Sequence, residues 1–128
     1  MSKPRPNVRK NARRAAERKG RIAEWVAAMR YALGGTRILA RRFRAYGGEA
    51  DIIAFKNDVL IIVEVKRRAT IDAAIEAVTP SARRRIERAG AAFRASRPAY
   101  AECGVRYDIA ALAPRRLVLV KDAWRDGE

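Results

Sequence analysis

Asp51, Glu64 and Lys66 are the residues of this chain whose types and spacing could do chemistry. They sit inside two apolar runs, Gly48-Glu49-Ala50-Asp51-Ile52-Ile53-Ala54-Phe55 and Val59-Leu60-Ile61-Ile62-Val63-Glu64-Val65-Lys66, with Asn57-Asp58 between them. Ile, Val, Leu and Phe suit a buried pleated strand, and Asn and Asp tolerate the backbone of a tight hairpin turn. With Asn57 and Asp58 as the turn residues, Lys56 faces Val59, Phe55 faces Leu60, Ile53 faces Ile62 and Asp51 faces Glu64. Alternation then puts Asp51, Ile53, Phe55, Leu60, Ile62, Glu64 and Lys66 on one sheet face. Two opposed carboxylates repel, more strongly when buried, so a positive partner is required, either Lys66 or a bound cation. Clustered oxygens favour a hard divalent ion, and Mg²⁺ takes one or two carboxylates with waters and substrate phosphate. A longer turn would slip the pairing by one and send the two carboxylates to opposite faces. Glu64 and Lys66 would then be a surface pair of little energetic weight.

Composition removes most competing chemistry. The chain has no His and a single Cys, Cys103, which excludes zinc sites and His-dependent triads within one chain. Any metal must be held by oxygens. A lone Cys also rules out an internal disulfide and fits a reducing cytoplasm. Lys and Arg number 29 against 14 Asp and Glu, a net charge of +15. Such a surface attracts polyanions, of which nucleic acid is the commonest in the cytoplasm, and ribosome contact fits as well. No apolar run is long enough to span a membrane, and the basic N-terminus lacks the apolar segment of a secretory signal. An anionic membrane surface is disfavoured because no basic helix is expected to present a bulky aromatic face. The expected partner is nucleic acid and the expected location cytoplasmic.

The elements that position these residues can be read in order. Residues 1–20 read as a basic, flexible arm, turning helical from about Asn11 and contacting phosphate. Residues 21–128 suffice for one domain with one core. Ile22, Trp25, Val26, Met29 and Leu33 recur at helical spacing before Gly34-Gly35, which predicts a helix over 21–33 with Trp25 and Met29 in the core. Glu24 falls opposite that stripe, beside Ala27, Ala28 and Tyr31, and reads as solvated by periodicity. A first strand follows over 36–44, carrying Arg41 and Arg42, and Gly47-Gly48 turns it into the strand of Asp51. Arg67 and Arg68 extend past Lys66, and guanidinium groups match phosphate oxygens.

Thr70 predicts the cap of a helix over 71–78, and Thr79-Pro80 starts the next. That second helix buries Ala82, Ile86, Ala89 and Phe93 and turns Arg83, Arg84, Arg85 and Arg88 outward as a phosphate-binding face. Strands over 105–112 and 117–120 close the chain around a turn at 113–116. Asp108 reads as a structural hydrogen-bonding residue and Trp124 as a core plug. The order helix, three strands, helices, two strands gives an α/β layered domain with a mixed sheet of about five strands flanked by helices. No Gly-rich phosphate loop is present.

Several segments together resemble the YraN-like family of bacterial proteins: Gly20-Arg21-Ile22-Ala23-Glu24-Trp25, Gly35-Thr36-Arg37-Ile38-Leu39-Ala40-Arg41-Arg42, Gly48-Glu49-Ala50-Asp51-Ile52-Ile53-Ala54, Val63-Glu64-Val65-Lys66 and Arg106-Tyr107-Asp108. That family is placed in the restriction-endonuclease-like, PD-(D/E)xK superfamily and is similar to Holliday-junction resolvases. The resemblance implies a restriction-endonuclease-like layered fold in the order α-β-β-β-α-β-β. It also implies a metal-dependent endonuclease acting on DNA, including branched or junction DNA. Asp51 and Glu64 would be ligands of Mg²⁺ or Mn²⁺ with the Val65 carbonyl. Lys66 would orient water, and Glu24 would complete the acidic set, against its periodicity. Cutting both strands of a junction would favour a homodimer. Two departures concern substrate handling. Ala82 stands where the family commonly has Lys, and the chain has no Gln. The alternative class is a nucleic-acid-binding module of nuclease-like fold without catalysis.

Overall fold

The structure is a computed structural model that describes residues 6–128. Helix α1 (Pro6–Leu33) leads into three antiparallel strands, β1 (Arg37–Ala45), β2 (Gly48–Lys56) and β3 (Val59–Arg67). Helices α2 (Ile71–Glu76) and α3 (Pro80–Ser96) and a short 3-10 turn at Pro98–Tyr100 carry the chain back to β4 (Gly104–Ala113), parallel to β3, and β5 (Arg116–Trp124) closes the sheet. The five strands lie in the order β1-β2-β3-β4-β5, so the expected mixed α/β architecture is the observed one. One sheet face packs Ile53, Leu60, Ile62, Ile109 and Ala111 against α2 and α3. The other packs Ile52, Ala54, Ile61, Val63 and Ala110 against α1.

Local chemistry explains the joints. Asn57 and Asp58 adopt φ of 52° and 62°, the left-handed pair of a two-residue hairpin. The Thr70 and Thr79 hydroxyls accept the Ala73 and Ala82 N–H groups, and Pro80 opens α3. Trp124 is buried and stacks on Tyr107 with ring centroids 5.2 Å apart.

One expectation about α1 is extended and one is overturned. The helix does not begin near residue 21 but runs unbroken from Pro6. Ala, Arg, Lys and Glu dominate residues 9–19, all strong helix formers, and Pro is tolerated at a helix start. The segment expected to be a flexible arm is therefore helical from residue 6, and residues 1–5 lie outside the described residues. The buried face is also the opposite one. Ala23, Ala27, Ala28 and Tyr31 pack on the sheet, while Ile22, Trp25, Met29 and Leu33 are 58%, 55%, 40% and 79% exposed. Small side chains let the helix lie close to the sheet, and Tyr31 reaches through to a buried partner described below.

Gly48 marks a second close approach. A Cβ there would lie 2.3 Å from the Ala89 nitrogen and 2.6 Å from the Arg88 carbonyl carbon, so only Gly lets α3 cross β2 at this distance. Gly48→Ala is expected to push α3 off the strand and destabilise the protein by about 1–3 kcal/mol, as overpacking does. Urea denaturation measures this, and an unchanged midpoint would show that α3 moves freely.

Candidate metal and nucleic-acid site

The β2–β3 ladder runs from Lys56 opposite Val59 to Ile52 opposite Val63, the register the Asn57-Asp58 turn predicts. Beyond it, the Asp51 Oδ2 accepts the Val65 N–H at 2.7 Å, so a side chain takes over where the recorded pairing ends. Glu64 lies against it. Burial first, then the hydrogen-bond contact and charge of Asp51, push the Glu64 carboxyl up to about 9, with Lys66 opposing and Glu49 adding to the rise. Two carboxyl groups therefore share one desolvated position that cannot hold both negative charges without a proton or a cation. The pocket around them is lined by Glu49, Asp51, Glu64, Val65, Lys66 and Arg85.

This donor set fits a hard divalent cation. It is oxygen-only, carries the right charge and opens to solvent, and Mg²⁺ characteristically keeps waters beside one or two carboxylates. Among the described residues no cluster of three or more His, Cys, Asp or Glu forms, so Asp51 and Glu64 would carry the ion with water. Glu24 does not join them. Its side chain is only 14% exposed, so the solvated reading is wrong, but its carboxylate accepts the Arg42 Nε–H at 2.8 Å. Glu24 instead stands on a ridge of α1 between two grooves. One groove holds Arg21, Arg42, Arg44 and Asp51. The other holds Lys19, Lys66, Arg67 and Arg68.

The arginines expected to bind phosphate divide into two groups. Arg67 and Arg68 line the second groove, Arg85 stands in the carboxylate pocket, and Arg41 is exposed on β1. Arg88 donates to the Gly47 carbonyl oxygen at 3.3 Å. Arg83 and Arg84 are turned to partners within the chain. The Arg83 guanidinium lies 5.5 Å from the Trp124 ring centroid, and Arg84 is held by both Glu87 oxygens at 2.7 Å and by the main-chain carbonyl of Glu128. The C-terminal residues packing on α3 occupy them. Ala82, in the position where the family commonly has Lys, lines the carboxylate pocket, and Arg85 supplies a cation there from the same helix face.

Sequence reasoning missed Glu49, Lys19, Arg21 and Arg44. Glu49 was accessible, because alternation puts it on the face of Asp51. Lys19 needed the helix to extend before residue 21, Arg21 needed the buried face of α1, and Arg44 needed the register of β1, which pairs it with Glu49.

A fully buried carboxylate stands behind the site. Asp108 accepts the Tyr31 hydroxyl at 2.7 Å, Arg106 Nε and Nη2 at 2.9 and 3.0 Å, and the Asp122 N–H at 3.0 Å. Burial, then the charge of Asp108 and its hydrogen bond, raise the Tyr31 hydroxyl far above the ordinary tyrosine range. The structural role expected of Asp108 is the observed one. It ties α1 to β4 and satisfies the β5 irregularity at Asp122, whose φ is 54°.

The model of the family described as "Uncharacterised protein family UPF0102" matches residues 23–112. A UPF0102 protein of Paramagnetospirillum magneticum is 49% identical over 119 residues, covering 89% of this chain and 92% of the relative. One from Rhizobium johnstonii is 48% identical over 105 residues, covering 82% and 86%. One from a Caulobacter species is 44% identical over 124 residues, covering 95% and 89%. The matched span includes Glu24, Asp51, Glu64, Lys66 and Asp108.

Proposed function

Since the chain belongs to the uncharacterised protein family UPF0102, a description that names no activity, we propose from its site that it is a divalent-metal-dependent nuclease hydrolysing phosphodiester bonds of DNA. The observation that carries this reading is the Asp51–Glu64 pair, two desolvated carboxyls in contact inside a pocket open to solvent on a protein of net charge +15. Such a pair needs a shared proton or a cation, and a divalent ion supplies the second. The Asp51, Glu64 and Lys66 pattern that resembles the PD-(D/E)xK superfamily points the same way.

When bound, Mg²⁺ or Mn²⁺ would supply Lewis acidity toward the scissile phosphate and make water more acidic. Asp51 and Glu64 would hold it, with the Val65 carbonyl as the superfamily resemblance implies. The Val65 N–H fixes the orientation of the Asp51 carboxylate. Lys66 supplies positive charge at the pocket, to orient the attacking water and stabilise charge developing on phosphate. Arg85, Arg67, Arg68 and Lys19 provide backbone contacts that position DNA without reading its sequence. Glu24 acts through Arg42, holding that guanidinium at the wall of the first groove.

The deciding experiment is a nicking assay on supercoiled plasmid and a four-way junction with Mg²⁺ or Mn²⁺. Wild type is compared with Glu64→Ala and Lys66→Ala, all purified identically. Cleavage by wild type alone supports the proposal, and cleavage that survives Glu64→Ala sinks it. Binding without cleavage in all three selects the second reading, a non-catalytic DNA-binding module. The engagement of Glu24 by Arg42 and of Glu49 by Arg44, which leaves Asp51 and Glu64 for the ion, favours that reading.

Binding itself is expected to weaken steeply with salt through counterion release. Arg85→Ala should lower the salt slope by about one contact. Arg84→Ala should leave the slope unchanged and show its effect in thermal stability. Equal slopes for wild type and Arg85→Ala would remove Arg85 from the interface.

A further inference from the structure

A third groove opens beside the two that flank Glu24, and its lining is of two kinds. Ile22 and Val26 of α1 form an apolar wall over a floor of Leu112 and Leu117. Arg67 at the end of β3 and Arg115 and Arg116 at the β4–β5 turn supply positive charge along it. Strand register explains the mixture. Arg67 pairs with Leu112 and Leu112 with Leu117, so the three lie abreast on the sheet face that packs α1. Arg67, Arg115 and Arg116 are exposed, and none is in an ion pair among the described residues. The groove is also continuous with the candidate site. Ala23, Arg67 and Pro114 line it and the second groove alike, and Lys66 lines both the second groove and the carboxylate pocket.

We propose that this path carries one unpaired DNA strand away from the carboxylate pocket, its phosphates on Arg67, Arg115 and Arg116 and its unstacked bases against Ile22, Val26 and Leu117. The substrate class, given the reading of that pocket as a nuclease site on which this rests, is DNA with a single-stranded tail. A duplex turns its phosphates outward and keeps its base faces stacked inside, so it would meet the arginines and leave the apolar wall in water. An unpaired strand presents both partners, phosphates for the guanidinium groups and base faces for apolar side chains and guanidinium planes. Two strand spacings, roughly 10 Å, separate Arg67 from Leu117, room for about two or three nucleotides. An anionic membrane also combines charge with apolar matter. The floor at Leu112, however, is only 9% exposed beneath Ile22 at 58%, and a flat surface does not reach it.

Fluorescence anisotropy in metal-free buffer tests this without cleavage. The probes are a blunt duplex, the same duplex with a single-stranded tail of either polarity, and the tailed duplex with an abasic tail. Wild type is expected to bind one tailed form about tenfold tighter than the blunt one, and the abasic tail should forfeit most of that gain. Arg115→Ala combined with Arg116→Ala should lower the salt slope on tailed DNA by about 1.4, or about 0.7 for each single-strand phosphate. The slope on the blunt duplex should not change. Ile22→Asn removes a base contact and no charge, so it should weaken tailed DNA by about threefold with the slope and the circular dichroism unchanged. Equal affinity for tailed and blunt DNA, full affinity for the abasic tail, or a double variant that loses both DNAs alike overturns the proposal. So does binding to phosphatidylserine vesicles that Ile22→Asn abolishes while tailed DNA is still held. Glu64-dependent nicking without a tail preference would sink this strand path alone. A tail preference without nicking would sink the nuclease reading and leave the path standing.

Discussion

Glu64→Gln is expected to lower Mg²⁺-dependent cleavage by about a thousandfold or more, since loss of several kcal/mol of transition-state stabilisation corresponds to three or more decades in rate. DNA binding should change little, because Glu64 is not among the cationic groups that grip the backbone. The same substitution carries a pH signature in the metal-free protein. Glu64 titrates near 9 when folded against an ordinary value of 4.5, so the folded state binds more protons than the unfolded state between those values. Stability from this group is fully present below about pH 4.5 and is lost as pH rises through about 9. The melting temperature of metal-free wild type should therefore fall with pH across that window more steeply than that of Glu64→Gln. The subtraction cancels the titrating groups outside the Asp51–Glu64 pair. Metal affinity should rise over the same window, as the ion displaces the shared proton. Calorimetry of both proteins, with and without Mg²⁺, checks these signs. Parallel melting curves would mean that neither burial nor Asp51 raises Glu64 in solution.

Asp108→Ala is the second large effect. It leaves the Tyr31 hydroxyl and the Arg106 guanidinium without their common acceptor and frees the Asp122 N–H. Breaking a buried ion pair from one side destabilises by about 3–5 kcal/mol, a large part of the roughly 5–15 kcal/mol that holds a domain folded. Tyr31→Phe should lose about 1–3 kcal/mol, since Asp108 keeps its other partners. It also removes the buried polar contact on the α1 face that meets the sheet. Chemical denaturation gives both magnitudes, and Trp25 fluorescence reports any rotation that buries the Ile22/Trp25/Met29 face. A Tyr31→Phe protein as stable as wild type would show that the alanine contacts alone hold the helix.

Much of the site was legible because it depends on local rules. The Asn57-Asp58 turn sets the register, alternation sets the face, and a carboxylate in the middle of an apolar run has no ordinary place to go. Glu64, Lys66 and Asp51 followed from those facts. The caps at Thr70 and Thr79 followed from side-chain chemistry confined to one turn. The α1 reading failed for a reason outside its own sequence. Periodicity identifies an apolar face, but burial depends on what the sheet offers. The sheet offers a flat surface of Ile52, Ala54, Ile61 and Ala110, with Asp108 nearby waiting for a hydroxyl. The engagement of Arg83 by Trp124 and of Arg84 by Glu128 lay outside any local pattern, although the Arg84–Glu87 pair is local.

By itself, then, the sequence determined the strand register, the mixed α/β order and the pairing of Asp51 with Glu64, all consequences of neighbours a few residues apart. Only the tertiary structure decided which face of α1 is buried, which arginines are held by partners within the chain, and that Glu24 pairs with Arg42. Those outcomes depend on contacts between residues as far as 77 positions apart, as Tyr31 and Asp108 are. No local pattern encodes the competition between a large apolar face and one buried hydrogen bond.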